Sequence, residues 1–227
     1  MKTWRQNQAF DKKFGSTRPP SYPNEMLVKL CSSKRYSKLS NRLFSKKKIK
    51  VCEIGCLSGN NIRFFLDKGW EPYGVEINND LIQLCKKNLL NFKINFKRLK
   101  LGNNEEIPFS KNFFDLLISI NTIHYSYLKG IDKAIDEFSR VLNKGGIAVI
   151  ETPSKKHDAL VNSIKKKDNY WIWKWGGFRQ NSFLGFFDDK KKFYQKLKVR
   201  FSKVEIYDRS EVYNNIKLHW YIAVCVK

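Results

Sequence analysis

Long apolar runs are missing from this chain of 227 residues. No stretch approaches the roughly 18 consecutive apolar residues that a membrane-spanning helix needs. The first six residues also lack the apolar core of a secretory signal peptide. We therefore predict a cytoplasmic protein without a membrane span. With 42% hydrophobic residues, a chain of this length is expected to form one domain with a substantial buried core.

Cysteine and histidine are scarce, and their spacing is not that of a metal site. The chain has three histidines and an odd number of cysteines, which are Cys31, Cys52, Cys56, Cys85 and Cys225. Cys52 and Cys225 lie within apolar patterns typical of strands. We expect buried free thiols in a reducing compartment and no metal site.

Acidic residues are few, because 44 Lys and Arg stand against 21 Asp and Glu, which gives a net charge of +23. The excess is uneven: residues 1–50 carry +12, residues 51–154 carry +1 and residues 155–227 carry +10. Of the basic residues 34 are Lys and only 10 are Arg, which is typical of the codon bias of an AT-rich genome. An acidic small substrate and a nucleic acid remain open as alternative explanations of the charge.

A strand, a glycine-containing turn and a helix follow one another at residues 51–61. Glu76 then ends a second apolar strand, 17 residues after Gly59. This order predicts the first half of a nucleotide-binding βαβ unit, in which the acid accepts hydrogen bonds from ribose hydroxyls. The dinucleotide fingerprint G-x-G-x-x-G does not fit, since Leu57 and Asn60 stand where it requires glycine.

The turn, Glu53-Ile54-Gly55-Cys56-Leu57-Ser58-Gly59, resembles motif I of the class I S-adenosylmethionine (SAM)-dependent methyltransferases, E/D-x-G-x-G-x-G, with Leu57 in place of the middle glycine. Three later stretches resemble the methyltransferase-11-like branch in the same order. They are residues 102–109, residues 113–125 and the Gly-Gly turn with its strand at residues 142–150. Together the four stretches fall within residues 49–154.

The resemblance implies an α/β fold with a Rossmann-like, mostly parallel sheet of seven strands in the order 3-2-1-4-5-7-6. Strands and helices are predicted to alternate at 50–55, 60–68, 71–77, 79–90, 94–101, 113–120, 130–142 and 146–152, with final strands at 199–207 and 218–226. We expect a single methyltransferase domain at 1–227, made of an N-terminal arm and helix (1–48), a cofactor core (49–154), a substrate-side insertion (155–198) and a C-terminal hairpin (199–227). The arm should contain a helix from Glu25 to Leu39.

The insertion is rich in aromatic residues, with eight among residues 170–187, interrupted by three glycines. This pattern is too irregular for one face of a helix. Two interpretations stay open, a second small core over the sheet edge and an aromatic lid over the substrate.

The resemblance also implies the site residues. The predicted cofactor-binding residues are Glu53, Gly55, Cys56, Gly59, Glu76, Ile77, Asn103, Asn104, Ser119 and Asn121. The predicted substrate-binding residues are Arg18, Tyr22, Tyr125, Trp173 and Arg179. His124 follows the fourth strand at the carboxyl edge of the sheet, where it is a candidate base or a residue that lines the cofactor pocket.

These observations predict methyl transfer from SAM to a small polar acceptor, with O-methylation of a sugar or a related metabolite as the specific hypothesis. The loop at 120–125 lacks the N/D-P-P-Y/F motif of enzymes that methylate base amino groups, and no cysteine follows a proline. Two alternatives are a methyltransferase that acts on RNA or protein through the basic flanks, and a SAM-fold binding protein without catalysis.

Overall fold

A seven-stranded sheet forms the centre of the protein in a computed structural model. The model describes residues 22–33, 43, 48–126, 128–161, 163–166, 170–174, 183–185, 187 and 189–227. The strand order is β3-β2-β1-β4-β5-β10-β9. The first five strands are parallel, and β10 is antiparallel to both β5 and β9. This order confirms the predicted Rossmann-like sheet, with β10 and β9 as the predicted strands 7 and 6.

The strands of the main sheet have these bounds: β1 Lys50–Ile54, β2 Glu71–Glu76, β3 Leu99–Leu101, β4 Phe114–Ile120, β5 Leu142–Pro153, β9 Lys203–Tyr213 and β10 Ile216–Val226. Within β1, the residues from Val51 to Ile54 are all buried, as are nearly all residues of β2 and β4. Burial of consecutive residues is expected for parallel strands that are covered on both faces.

Six α-helices accompany these strands in the described part of the chain: α1 Glu25–Ser32, α2 Asn60–Asp67, α3 Asn79–Asn88, α4 Leu128–Val141, α5 Asp158–Val161 and α6 Lys190–Lys198. Asn24 caps α1, since its side chain accepts a hydrogen bond from the backbone N–H of Leu27, and Asn78 caps α3 in the same way. None of the described helices has the length and apolar character needed to span a membrane.

Two hydrophobic clusters cover the two faces of the sheet. One contains Phe114 of β4, Phe138 of α4 and Phe193 of α6. The other packs Leu27 of α1 and Phe65 of α2 against alternate residues of β1, β4, β5 and β10. The helices therefore hold the strand ends, and the loops that follow them, in fixed positions.

The insertion after β5 forms a second, smaller sheet. Its antiparallel strands are β6 Ser163–Lys165, β7 Tyr170–Trp173 and β8 Phe183–Gly185, in the order β6-β7-β8. Leu160 and Leu184 form a small buried cluster there, against which Tyr125 and Trp171 pack.

Several predicted boundaries were wrong. The strand β5 begins at Leu142 rather than at residue 146, and β9 begins at Lys203 rather than at Val199. The helix α1 ends at Ser32 rather than Leu39, because Ser33 is extended at φ −142°. Only Leu99–Leu101 form β3, since Asn95 caps a 3₁₀ turn at Phe96–Arg98 where the strand was predicted. The final hairpin is longer than predicted because Asn214 and Asn215 both adopt positive φ, the geometry of a two-residue hairpin turn.

Candidate active site

The turn between β1 and α2 requires glycine at two positions. Gly55 and Gly59 have φ values of 77° and 80°, in the left-handed region. A Cβ atom at Gly55 would lie 2.6 Å from Oγ1 of Thr122, and the Gly55 N–H donates to the carbonyl of Val75 at 2.8 Å. The turn is therefore packed directly against the ends of β2 and β4.

Leu57, which replaces the middle glycine of the motif, adopts the same left-handed region at φ 43°. A non-glycine residue pays a strain cost there of the order of 1–2 kcal/mol. The Leu57 N–H donates to Oε2 of Glu76 at 3.1 Å, a bond that holds the residue in this conformation. The turn thus keeps its shape despite the missing glycine.

Glu76 is only 2% exposed and lies at the carboxyl end of β2. Its Oε1 accepts a hydrogen bond from the Ile77 N–H at 2.7 Å, while Oε2 accepts the one from Leu57. Because each carboxylate oxygen can accept more than one hydrogen bond, this carboxylate can also accept ligand hydroxyls.

Glu53 is a second buried carboxyl group, at the end of β1. Its pKa is raised to about 8, mainly by burial; the hydrogen bond from Asn61 Nδ2 to Oε1, at 2.6 Å, lowers the pKa, and the nearby Glu76 raises it. Among the described residues its Oε2 has no hydrogen-bond partner, and the same holds for Ser119 Oγ and Asn104 Oδ1. Such buried orphans suit a polar ligand, since each gains a bond when the ligand binds.

The two asparagines after β3 are placed differently. The side-chain carbonyl of Asn103 accepts a hydrogen bond from the Glu105 N–H at 2.8 Å, in a local turn. Asn104 is buried, and its Nδ2 donates to Ser126 Oγ at 3.1 Å and to the Thr122 carbonyl at 3.4 Å. Its Oδ1 is therefore fixed in place as an acceptor.

Asn121, at the end of β4, belongs to a polar network. It has φ 51°, its Nδ2 donates to Glu151 at 3.0 Å, and its Oδ1 accepts from Trp220 Nε1 at 3.1 Å. Arg209 donates to the other oxygen of Glu151 at 2.8 Å and lies over the Trp220 ring at 4.2 Å. Burial raises the pKa of Glu151 to about 7, and Arg209 opposes that shift.

His124 lies in a 3₁₀ turn, Ile123–Tyr125, directly after this network. It is 3% exposed, and its ring packs against Tyr125 at a centroid distance of 4.3 Å. The strand β8 covers this turn so closely that a Cβ at Gly185 would lie 2.8 Å from the Ser126 carbonyl. His124 is therefore enclosed between the main sheet and the insertion.

The N-terminal arm reaches the turn through two asparagines of α2. Asn60 Nδ2 donates to the Tyr22 carbonyl at 2.7 Å, and Asn61 Oδ1 accepts from the Asn24 N–H at 2.8 Å. Since Asn61 also binds Glu53, it connects the arm to the buried carboxyl group. No sequence pattern indicates this role of Asn61, because the left-handed turn before α2 decides which helix position faces β1.

The remaining predicted site residues lie in different surroundings. Cys56 is 1% exposed, and its sulfur lies under the turn, where a Cβ at Gly74 would meet it at 2.7 Å; Ile77 is half-buried beside Glu76. Tyr22 is 82% exposed. Arg18 and Arg179 lie outside the described residues, and so does the side chain of Trp173. Within the described residues, no group of three or more His, Cys, Asp or Glu could hold a metal ion.

Comparisons with known proteins agree with this geometry. Residues 52–150 match a family described as a methyltransferase domain. A sterol 4-C-methyltransferase of Caenorhabditis elegans is 23% identical over 152 residues, which are 66% of this chain and 43% of that protein. The chain spans less than two thirds of the length of the curated relatives it matches.

Two solved structures share the fold. A SAM-dependent methyltransferase of Methanosarcina mazei, 18% identical, has a TM-score of 0.66 and covers 82% of this chain and 96% of its own. The 1,6-didemethyltoxoflavin-N1-methyltransferase of Burkholderia thailandensis, solved with 1,6-didemethyltoxoflavin and S-adenosylhomocysteine bound, is 11% identical. It has a TM-score of 0.59 and covers 99% of this chain and 80% of its own.

The sheet order is that of the SAM-dependent methyltransferase fold, and residues 52–150 match the methyltransferase-domain family, so SAM is the cofactor to compare with the site. The site fits that cofactor. It offers a buried carboxylate for hydroxyls at Glu76 and, within the described residues, buried oxygens without a hydrogen-bond partner at Glu53 Oε2 and Asn104 Oδ1.

Proposed function

We propose that this protein transfers a methyl group from SAM to a small polar acceptor, by O-methylation of a sugar or a related metabolite. The observation that carries the proposal is the pair of buried carboxyl groups, Glu53 and Glu76, on either side of the left-handed turn. SAM supplies a methyl group that its sulfonium already activates, so the protein has mainly to bind and orient the two reactants.

We assign the cofactor contacts as follows, with support from the geometry above. Glu76 accepts the ribose hydroxyls, while Gly55 and Gly59 give the turn the left-handed shape that brings its backbone to the ligand. Glu53 directs Oε2, which has no partner among the described residues, at the cationic methionine end of the cofactor. Asn104 accepts a hydrogen bond from the adenine amino group through its fixed Oδ1, with Asn103 and Ile77 beside it. Ser119 contributes its buried hydroxyl.

Asn121 was predicted to bind the cofactor, and we propose a different role for it. Both ends of its amide are already bonded, to Glu151 and to Trp220. We assign it to positioning, since these bonds hold the loop after β4 in its left-handed conformation. Arg209, which is 23% exposed, presents the same network to the acceptor side.

Two features support a small polar acceptor. The second sheet and Tyr125 cover the loop after β4, which favours a compact ligand over a polymer. The network of Glu151, near the end of β5, and Arg209, within β9, offers hydrogen bonds to hydroxyl groups. Tyr22 and Asn24 anchor the described start of the arm beside the turn. We propose that Arg18, Trp173 and Arg179 bind the acceptor.

All five cysteines are free thiols, buried in the fold. This supports the cytoplasm as the proposed compartment.

The test combines cofactor binding with turnover. Titration calorimetry should show micromolar binding of SAM by the wild type, and Glu76→Ala should lose roughly 1.5–3 kcal/mol of binding free energy, because a charge-assisted bond to ribose is removed. Glu106→Ala, an exposed acid near the site, is the matched control.

Turnover is then measured as S-adenosylhomocysteine released with a panel of sugars, sugar nucleotides, small acids, RNA and protein. Product on a sugar hydroxyl supports the proposal. Product on RNA or protein alone would show that the methyl acceptor is a macromolecule and not a small molecule. Binding of SAM without turnover on any acceptor would favour a non-catalytic role, and no binding at millimolar SAM would exclude the cofactor site.

A further inference from the structure

A cleft of about 690 Å³ opens outside the candidate active site. Its walls are Tyr73 of β2, the segment that leads into β3, and the loop before β4. Tyr73 lies in the first half of β2 and Phe113 just before β4, whereas the glycine turn, Glu76 and Asn121 lie where the strands end. The cleft has no lining residue in common with the candidate active site.

The cleft is positively charged. Lys97, Arg98 and Lys100 line one wall, although the segment 51–154 as a whole carries only +1. Arg98 pairs with Glu71 at 2.9 Å. The ammonium of Lys100 donates to the carbonyl of Pro108 at 3.0 Å, which is a neutral acceptor, and Lys100 has no ion pair among the described residues. Lys97 is exposed. The wall therefore offers at least two cations to an anionic ligand.

Three aromatic rings form the base of the cleft. Phe109 and Phe113 stand parallel, with 3° between their planes, and each meets the Tyr73 ring edge to face at 5.3–5.4 Å. Each ring has a cation over one face: Lys100 over Phe109 and Lys50 over Phe113, both at 4.5 Å, and Arg98 over Tyr73 at 5.1 Å. Flat apolar faces and movable positive charges are thus combined in one place.

The loop that carries Phe109 is held rigidly from behind. Arg140 of α4 donates to the carbonyls of Ile107 and Phe109, each at 2.9 Å, and Glu137 accepts from the Ile107 N–H at 2.8 Å. Arg140 and Glu137 are also paired with each other at 2.5 Å. A ligand therefore meets a preformed wall, and little conformational entropy is lost on binding.

We propose that this cleft binds a nucleoside phosphate, with its base stacked on Phe109 or Phe113 and its phosphate paired with Lys97 and Lys100. Stacking of a base on an aromatic ring is stronger than an exposed cation–π contact, so the base displaces the flexible lysine from the ring. The released ammonium then meets the phosphate. The site is independent of the methyl acceptor and would be an anchoring or regulatory site.

The ligand can come from two sources, a free nucleotide or a single-stranded nucleic acid, and one experiment separates them. A fluorescein-labelled uridine oligonucleotide of about 12 residues is titrated by anisotropy at low salt, with saturating S-adenosylhomocysteine to occupy the cofactor site. UMP and ribose 5-phosphate serve as competitors. Competition by UMP at micromolar concentration indicates a free nucleotide, and binding of the oligonucleotide alone indicates a nucleic acid.

Two double variants test the location. The double variant Lys97→Gln/Lys100→Gln should weaken binding of the oligonucleotide at least about 10-fold. It should also reduce the slope of log affinity against log salt concentration by roughly 1–2. Lys87→Gln/Lys191→Gln removes the same charge from exposed positions on α3 and α6 and should change the affinity less than about 2-fold. A 5-bromouridine oligonucleotide should photocrosslink to peptides that contain Tyr73, Phe109 or Phe113.

Three results would overturn the proposal. Equal losses in the two double variants would show general attraction by the net charge. Crosslinks confined to other peptides would place the ligand elsewhere. Competition by ribose 5-phosphate as strong as that by UMP would mean that no base stacks in the cleft.

Discussion

At the residue scale, the two buried carboxyl groups of the site have opposite surroundings. Glu76 accepts two backbone hydrogen bonds, whereas Glu53 accepts one side-chain bond and keeps one oxygen without a partner among the described residues. A buried carboxyl group with few donors is held in its neutral form. Burial therefore favours the neutral form of Glu53 in the folded protein.

Glu53 gives the fold a defined pH dependence. Its pKa is about 8 in the folded protein and has the ordinary value of a carboxyl group in the unfolded chain. Between those two values the folded state binds the extra proton, so the free energy of unfolding falls as pH rises from about 5 to about 8. Glu151, with a pKa of about 7, acts in the same direction.

Glu53→Gln should remove part of this slope, because Gln can still accept from Asn61 but does not titrate. Urea unfolding of the wild type and the variant at about pH 5 and about pH 8 measures this pH dependence of the free energy of unfolding. The exposed control is Glu106→Gln. The stability difference between the two pH values should be smaller in Glu53→Gln only. Parallel pH profiles for all three proteins would show that Glu53 does not titrate in this range.

The variant His124→Ala tests whether this buried imidazole acts as the base in methyl transfer. If it takes a proton from the acceptor, His124→Ala lowers the turnover rate by roughly 10²–10⁴-fold with SAM affinity unchanged, and the acidic limb of the pH–rate profile disappears. Because the ring is enclosed against Tyr125, we expect instead weaker SAM binding and a surviving rate with its pH dependence intact. Measuring affinity and pH–rate profile on the one variant separates the two roles, and a selective loss of rate would contradict our expectation.

At the scale of elements, the arm and the helix α2 form a unit through adjacent asparagines. Asn61→Ala should lower the free energy of unfolding by about 1–3 kcal/mol, because it leaves the carboxyl group of Glu53 buried without its donor. Asn60→Ala loses the bond to the Tyr22 carbonyl and the long bond that Asn60 Oδ1 accepts from Ser58 Oγ at 3.5 Å, and should cost about 0.5–1.5 kcal/mol.

Both asparagine variants should weaken SAM binding, since both release the arm from the turn. Calorimetric titration alongside urea unfolding distinguishes the two effects. Wild-type affinity in Asn60→Ala would show that the Tyr22 contact has no part in closing the site.

The elements also show which parts of the structure are predictable. Gly55, Gly59 and Glu76 identify the first βαβ unit because few residues tolerate left-handed backbone or end a buried strand with an acid. The sheet order was implied by the resemblance of four stretches to the methyltransferase family, and the structure confirms it. The network of Asn121, Glu151 and Arg209 was not predictable, because its members are far apart in sequence and meet only when β10 brings β9 next to the sheet. Similarly, the second sheet depends on contacts with the loop after β4 that no local pattern specifies.

At the scale of the whole molecule, the two ends of the parallel strands have separate chemistry. The carboxyl edge gathers the glycine turn and buried acids, and the amino edge gathers exposed cations over aromatic rings. Both edges belong to the same rigid sheet, whose strands are buried along most of their length. Ligands at the two edges can therefore be bound at the same time without competing for residues.

The position of β10 has a consequence for how the chain folds. This strand lies between β5 and β9, and its eight consecutive residues from His219 to Val226 are all buried. Because β10 comes after every other strand in the chain, a growing polypeptide leaves the edge of β5 unpaired, and β9 has no strand of the sheet to join. Pairing of β10 with β5 also spans some 70 residues, a separation that slows folding. Assembly of the sheet is thus expected to finish in a late step in which the hairpin inserts as one piece.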